Sequence, residues 1–112
     1  MNHQELEKSK IYITSNIVEY ISNSVVSKTI VKKLTGNISA LSFNEKEGLP
    51  EKISPFDTFA QIIEGKAEII IDGATYFIEE GECIIIPAHT SHSIKGNKRF
   101  KMIVTIIKSG YE

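Results

Sequence analysis

The sequence is poor in the residues and patterns that mark several large classes of protein. It has one cysteine, three prolines and no tryptophan among its 112 residues. A single cysteine cannot form an internal disulfide. No apolar run approaches the ~20 residues needed to cross a bilayer, and residues 1–10 lack the hydrophobic core of a secretory signal. We therefore expect a cytoplasmic protein without disulfides or membrane-spanning segments.

The sequence also lacks an excess of charge of either sign. Thirteen basic and 14 acidic residues give a net charge of −1, so no global field attracts nucleic acid or anionic lipid. The densest basic segment, residues 95–101 (KGNKRFK), contains Gly96 and Asn97 between two apolar runs, which is typical of a solvated turn. We expect neither a nucleic-acid partner nor a membrane partner.

The length and the remaining composition are those of one globular domain. Apolar residues make up 41% and charged residues 24% of the chain. A chain of this size buries roughly two thirds of its unfolded surface in a single core. We expect an N-terminal arm or edge strand over residues 1–20 and a β-barrel domain over residues 21–112.

The apolar residues are mostly β-branched or aromatic, which favours strands throughout the chain. Asp72-Gly73 lies between two such runs and predicts a type I′ hairpin turn. Short strands at regular spacing predict an all-β sandwich or barrel. The predicted strands are Ile11–Tyr20, Val25–Lys33, Ile38–Phe43, Phe56–Ile63, Ala67–Ile71, Ala74–Ile78, Cys83–Ile86, Ser91–Ile94 and Phe100–Ile107.

One segment interrupts this regular spacing. Residues 44–54 (NEKEGLPEKIS) are polar and contain Gly48 and Pro50, so they are predicted to form a loop of about a dozen residues. Such a long loop either borders a binding site or is a plain surface connection.

A motif near the C-terminal end resembles a known family. From Gly81 the chain reads GECIIIPAHTSHSI, which resembles the second conserved motif of the cupin superfamily. In that motif a glycine opens a turn, a proline ends a strand, and a histidine, here His92, projects into the barrel. His89 stands where the family usually has glycine. Gly65 resembles the closing glycine of the first cupin motif, and the resemblance, over residues 35–108, implies a double-stranded β-helix, or jelly-roll barrel.

The resemblance also implies where a metal would lie. Cupin metal sites combine two histidines one residue apart, a third ligand and a histidine from the second motif, which bind iron, manganese, nickel, copper or zinc. Counting back from Gly65, the first-motif positions are Lys52, Ser54 and Thr58, none of which is a good ligand. Only His92 is retained, so we expect no tightly bound metal and no cofactor.

Nearby residues offer an alternative ligand set. Asp57 is adjacent to Thr58, Glu51 is one residue out of register, and His89 lies in the turn after Pro87. A metal site of His92, His89 and either Asp57 or Glu51 requires two departures from regular strand geometry.

Lys52 is the most informative departure from the family pattern. Its ammonium either points into the barrel, where it would meet an anionic ligand, or extends into water at the barrel mouth. The leading hypothesis is a small-molecule binder whose polar or anionic ligand contacts His92, Lys52, Ser54 and Thr58. The alternatives are a metal-dependent enzyme of dioxygenase or isomerase type, and a sensing or interaction module. No catalytic residue is assigned.

Four further expectations concern single residues and assembly. Cys83 begins the apolar run Cys-Ile-Ile-Ile and is expected to be a buried small hydrophobe. Tyr76 is expected to pack with its hydroxyl at the rim, and His3 to be solvated. The runs Val25–Val31 and Met102–Ile107 are apolar on both faces, which predicts a homodimer.

Overall fold

A computed structural model describes residues 5–110 of the chain as a two-sheet β structure. His3 lies outside the described residues. No helix in this part of the chain is long and apolar enough to cross a membrane. The elements are a 3₁₀ helix at Thr14–Asn16 and strands β1 Val25–Lys33, β2 Gly36–Phe43, β3 Gly48–Ser54, β4 Asp57–Glu64, β5 Lys66–Ile71, β6 Ala74–Glu79, β7 Cys83–Ile86, β8 Thr90–Lys95 and β9 Phe100–Ile107.

The strands form two antiparallel sheets that enclose one core. The five-stranded sheet has the order β1-β2-β9-β4-β7, and the four-stranded sheet has the order β3-β8-β5-β6. Alternate residues of β4 and β5 are buried because successive side chains of a strand point to opposite faces. Phe43 and Phe100 stack in this core with their ring centroids 4.3 Å apart. The arrangement confirms the predicted all-β jelly-roll fold.

The hairpin turn between β5 and β6 has the predicted geometry. Asp72 and Gly73 have φ angles of 49° and 82°. Two consecutive positive φ angles are the signature of a type I′ turn, whose twist matches that of the two flanking strands. The Asp-Gly dipeptide therefore defines the register of this hairpin.

The predicted loop at residues 44–54 is wrong, because Gly48–Ser54 forms strand β3. This strand lies at the edge of its sheet and pairs only with β8 among the strands of residues 5–110. The ladder is irregular between Leu49 and Lys52, and Pro50, which has no N–H to donate, falls within that irregularity. An edge strand tolerates the polar residues and the proline that made the segment resemble a loop.

The predicted strand at Ile11–Tyr20 is also wrong. Its residues form the short 3₁₀ helix and extended chain rather than a strand. Val18 is buried against Ala40 of β2 and Ile103 of β9, on the outer face of the five-stranded sheet. Ile17 and Val18 of this segment pack on the outer face of the sheet, where Val18 is buried without a strand partner.

Polar contacts hold this N-terminal segment in place. The Ser42 hydroxyl donates to the Glu19 carbonyl at 2.7 Å, and the Lys101 ammonium donates to the Ser15 carbonyl at 2.5 Å. Ile30 of β1 packs in the same outer cluster as Val18 and Ile103. Part of the apolar surface on which the expected homodimer rests is therefore covered by the chain itself.

Candidate functional site

His92 lies in β8 and points into the space between the two sheets. It is only 6% exposed, and it shares the inner face of its strand with the buried Ile94. Its direct neighbours across the sheet are Lys52 of β3 and Ile71 of β5. The Nδ1 atom of His92 is buried and has no hydrogen-bond partner among the described residues.

Lys52 is placed beside His92 by the strand register. Residues directly opposite each other on paired strands project from the same face, so Lys52 occupies the inner face at the edge of the sheet. Its side chain is nevertheless exposed, because β3 is an edge strand of its sheet. Lys52 thus borders both the interior and the solvent.

The environment of His92 disfavours its protonated form. Burial lowers the pKa of His92 below its ordinary value of 6.5, and the positive charge of Lys52 lowers it further. Contact with the Thr90 backbone acts in the opposite direction but does not reverse the shift. The imidazole is therefore neutral at pH 7, with one donor and one acceptor nitrogen.

The other two predicted site residues lie at the same end of the barrel. Ser54 pairs with Thr90, and its hydroxyl accepts the Phe56 N–H at 3.2 Å. Thr58 is buried on the inner face of β4, in the opposing sheet. Only residues 55–56 connect β3 to β4, so both strand ends lie close together. The structure thus places Lys52 directly opposite His92 in the strand register, Ser54 two residues further along β3, and Thr58 in the opposing sheet.

Two of the alternative metal ligands, both carboxylates, accept hydrogen bonds from the protein. The Asp57 carboxylate accepts the Ala88 N–H at 2.8 Å, and Glu51 accepts a hydrogen bond from the Ser91 hydroxyl. His89 has a φ of 62°, and its N–H donates to the Ser54 carbonyl at 2.7 Å. Its left-handed backbone explains why the related motif has glycine there.

The side chains present do not fit a cupin metal centre. In residues 5–110 no three histidine, cysteine, aspartate or glutamate side chains lie close enough together to hold an ion. At the positions of the family's ligands only His92 is a good donor, and a tight site normally needs at least three. The lysine ammonium at one of the other positions would also repel a cation.

Two single-residue expectations can be compared with the structure. Cys83 is exposed, so the prediction of a buried small hydrophobe is wrong. It lies at the start of β7, an edge strand of the five-stranded sheet, where one face remains open to solvent. Tyr76 lies on the edge strand β6 and is partly exposed, opposite the fully buried Ile69.

A cavity lies at the other end of the barrel from His92. Its volume is about 760 Å³, and His92, Lys52, Ser54 and Thr58 do not line it. It is surrounded by the β4–β5 and β8–β9 turns, strand β6 and Tyr20 of the N-terminal segment. The lining residues are Tyr20, Glu64, Gly65, Lys66, Ala67, Glu68, Phe77, Ile78, Glu79, Gly96, Asn97, Lys98 and Arg99.

The basic segment 95–101 is the sequence feature that lies at this cavity. The interpretation as a solvated turn holds for the exposed Lys98 and Arg99. It is wrong for Lys101, which is 7% exposed and lies under the N-terminal segment. The proximity of Tyr20 to this turn could not be read from the sequence, because about 80 residues separate them and only the tertiary fold joins them.

Comparison with solved structures gives close fold matches along nearly the whole chain. A conserved protein of unknown function from Streptococcus pyogenes has 27% sequence identity and a TM-score of 0.89, with 99% of this chain and 98% of that chain covered. A cupin superfamily protein from Desulfitobacterium hafniense has 27% identity and a TM-score of 0.84, with 94% and 95% covered. A cupin 2 conserved barrel domain protein from Leptotrichia buccalis has 27% identity and a TM-score of 0.81, with 84% and 46% covered.

The family assignment rests on sequence as well as on shape. A search of curated proteins found no match. The cupin domain family matches residues 42–106, which include β3, the Asp-Gly hairpin and the motif that carries His92. This match spans more than half of the chain, and the jelly-roll fold agrees with it along the same residues. The chain therefore belongs to the cupin domain family.

Proposed function

We propose that this protein binds a small polar, anionic molecule in the mouth of its barrel, without a tightly bound metal ion. The observation that carries the proposal is the buried Nδ1 atom of His92, which has no partner among the described residues and lies beside Lys52. A buried polar atom without a hydrogen bond is costly. A ligand that supplies this hydrogen bond removes that cost.

The chemistry of the neighbouring groups favours an anion. The Lys52 ammonium supplies positive charge and three donors at the edge of the barrel. The neutral imidazole of His92 supplies a donor or an acceptor, and the Thr58 hydroxyl faces the interior from the opposing sheet. Ile71, the other neighbour of His92, gives one wall of the site an apolar surface. A carboxylate or a phosphate group matches this combination of charge and donors.

A ligand screen tests this proposal. Organic acids, phosphate esters, neutral sugars and amines are compared by thermal shift, since a molecule that binds only the folded state raises the melting temperature. We expect organic acids or phosphate esters to raise it and amines to have no effect. Loss of a charge-assisted contact in Lys52→Gln should weaken binding by about tenfold or more.

Lys28→Gln is the matched control. Lys28 is an exposed lysine on β1, in the other sheet, so its replacement removes the same charge without altering the His92 site. Equal loss of affinity in both variants would show that the affinity depends on the net charge of the protein and not on Lys52 itself. Binding that survives Lys52→Gln unchanged would contradict the proposed site.

A further inference from the structure

A second group of charged and aromatic side chains surrounds the cavity at the opposite end of the barrel. The Arg99 guanidinium carbon lies 4.5 Å from the centroid of the Tyr20 ring. The Tyr20 hydroxyl donates to the Glu64 carboxylate at 2.7 Å, and the Lys101 ammonium lies 4.8 Å from the same ring. These contacts fix the ring on which Arg99 stacks, so the guanidinium is held at the cavity with its donors oriented.

The charges around this cavity are unevenly paired. Among the acidic residues, Glu64 accepts the Tyr20 hydroxyl and Glu68 pairs with Lys95 at 3.7 Å. Glu79 lies opposite Lys66 in the strand register, without an ion pair within 4.0 Å between them. Lys98 and Arg99, in contrast, have no carboxylate within 4.0 Å among residues 5–110. Two cations on the β8–β9 turn therefore remain available to an anion.

The opposite wall of the cavity is apolar. Phe77 is 73% exposed, although it lies on a strand of the sheet, and Ala67 and Ile78 also line the cavity but are buried on the inner face of that sheet. The volume of about 760 Å³ lies within the range of about 300–1,000 Å³ for small-molecule sites. An inorganic anion would fill little of this space and would leave Phe77 in water.

We propose that this cavity binds an aromatic or otherwise apolar carboxylate, whose anionic group contacts Arg99 and Lys98 and whose apolar part packs on Phe77. The guanidinium forms two parallel hydrogen bonds to a carboxylate, which gives the contact direction as well as charge. The site lies at the opposite end of the barrel from His92 and does not depend on the function proposed for that residue.

The test is an NMR titration of the 112-residue chain with 2-naphthoate as the probe. The uncharged 2-naphthylmethanol and inorganic phosphate are titrated in parallel. The alcohol retains only the apolar ring system, and phosphate retains only the negative charge. We expect saturable shifts of the amide signals at residues 96–99 and at Phe77 with 2-naphthoate. The alcohol and phosphate should bind more weakly by about tenfold.

Three variants locate the site. Arg99→Gln should weaken 2-naphthoate binding by about tenfold, and Arg99→Lys should lose less because it keeps the charge. Phe77→Ala should weaken it by about fivefold through lost apolar contact. Lys52→Gln should leave it unchanged, which separates this site from the one at His92. Arg99 and Phe77 are exposed, so both positions are expected to tolerate substitution, and melting temperatures check this.

Several results would overturn the proposal. These are the absence of saturable binding, shifts centred on His92, equal binding of the alcohol or phosphate, and unchanged affinity in Arg99→Gln. If Arg99→Gln does not fold, Phe77→Ala decides the question, since unaltered binding in that variant also contradicts the site.

Discussion

At the scale of single residues, the buried His92 makes the free energy of unfolding depend on pH. Its pKa is lowered in the folded protein, chiefly by burial, whereas in the unfolded chain it returns to about 6.5. Below that pH the unfolded state binds more protons than the folded state, so the free energy of unfolding decreases as pH falls. The stability that the neutral His92 contributes is fully present at pH values above the pKa of this histidine in the unfolded chain.

We therefore predict that His92→Gln reduces the pH dependence of stability. In the parent protein, urea denaturation should give a smaller free energy of unfolding at pH 5 than at pH 7. The difference should shrink in His92→Gln, because glutamine does not titrate. His89→Gln, which removes the exposed histidine of the neighbouring turn, is the control for loss of a histidine. An unchanged pH dependence in His92→Gln would show that the folded protein does not depress this pKa.

At the scale of elements, two turns differ in what they require of their glycines. Gly65 and Gly73 have similar φ angles of 80° and 82°. A Cβ atom at Gly65 would lie 2.8 Å from the Arg99 carbonyl oxygen, whereas nothing lies within 4 Å of one at Gly73. The two positions thus share backbone strain but differ in steric space.

We predict that Gly73→Ala costs about 1–2 kcal/mol of unfolding free energy, which is the cost of a side chain in the left-handed region. Gly65→Ala should cost about 1–3 kcal/mol more, because the β4–β5 and β8–β9 turns would have to separate. Chemical denaturation of the two variants measures the difference. Equal costs would mean that the turns move apart freely.

The N-terminal segment is the element whose role sequence reasoning missed. We predict that Val18→Ala destabilises the protein by about 2 kcal/mol, because it leaves a cavity on the outer face of the five-stranded sheet. Ile13→Ala removes a larger side chain from the same segment, but that side chain is mostly exposed and its loss should cost less than about 0.5 kcal/mol. Similar values for both variants in thermal denaturation would show that the segment does not pack on the sheet.

At the scale of the whole molecule, metal content follows from the number of donors. We predict that the purified protein holds well under one equivalent of transition metal and that a chelator leaves its melting temperature unchanged. The combined variant Lys52→His, Ser54→His and Thr58→Glu should bind one metal ion and melt at a higher temperature when it is bound.

Metal analysis of both proteins checks this prediction, with Lys52→His alone as the control because it supplies only one additional donor. A full equivalent in the unmodified protein would restore the alternative of an enzyme with rearranged ligands. A combined variant that does not bind metal would show that the four side chains do not converge.

We also predict a homodimer. The N-terminal segment covers part of the apolar outer face of the five-stranded sheet, but Leu34, Ile85 and Ile107 remain exposed at its ends and edges. Burying such residues in a second copy removes apolar surface from water. Sedimentation at micromolar concentration should give about twice 12.5 kDa. A single species of 12.5 kDa would contradict the prediction.

The sequence by itself determined the class of fold and most of its strands. The bounds of Val25–Lys33, Cys83–Ile86 and Phe100–Ile107 agree with the structure, because alternating or continuous β-branched residues are a local signal. The Asp-Gly turn is equally local. The motif that ends in His92 needed no tertiary information, since its glycine, proline and histidine occupy fixed positions along a few consecutive residues.

The tertiary structure alone decided what depends on distant parts of the chain. The sequence of β3 is typical of a loop, and it forms a strand because it pairs with β8. The sequence of residues 11–20 is typical of a strand, but this segment instead packs Val18 on the outer face of the five-stranded sheet. The proximity of Lys52 to His92 depends on the β3–β8 register, and that of Tyr20 to Arg99 on the closure of the barrel. Local propensity carries no information about such contacts, because their energy arises only when segments far apart in sequence pack together.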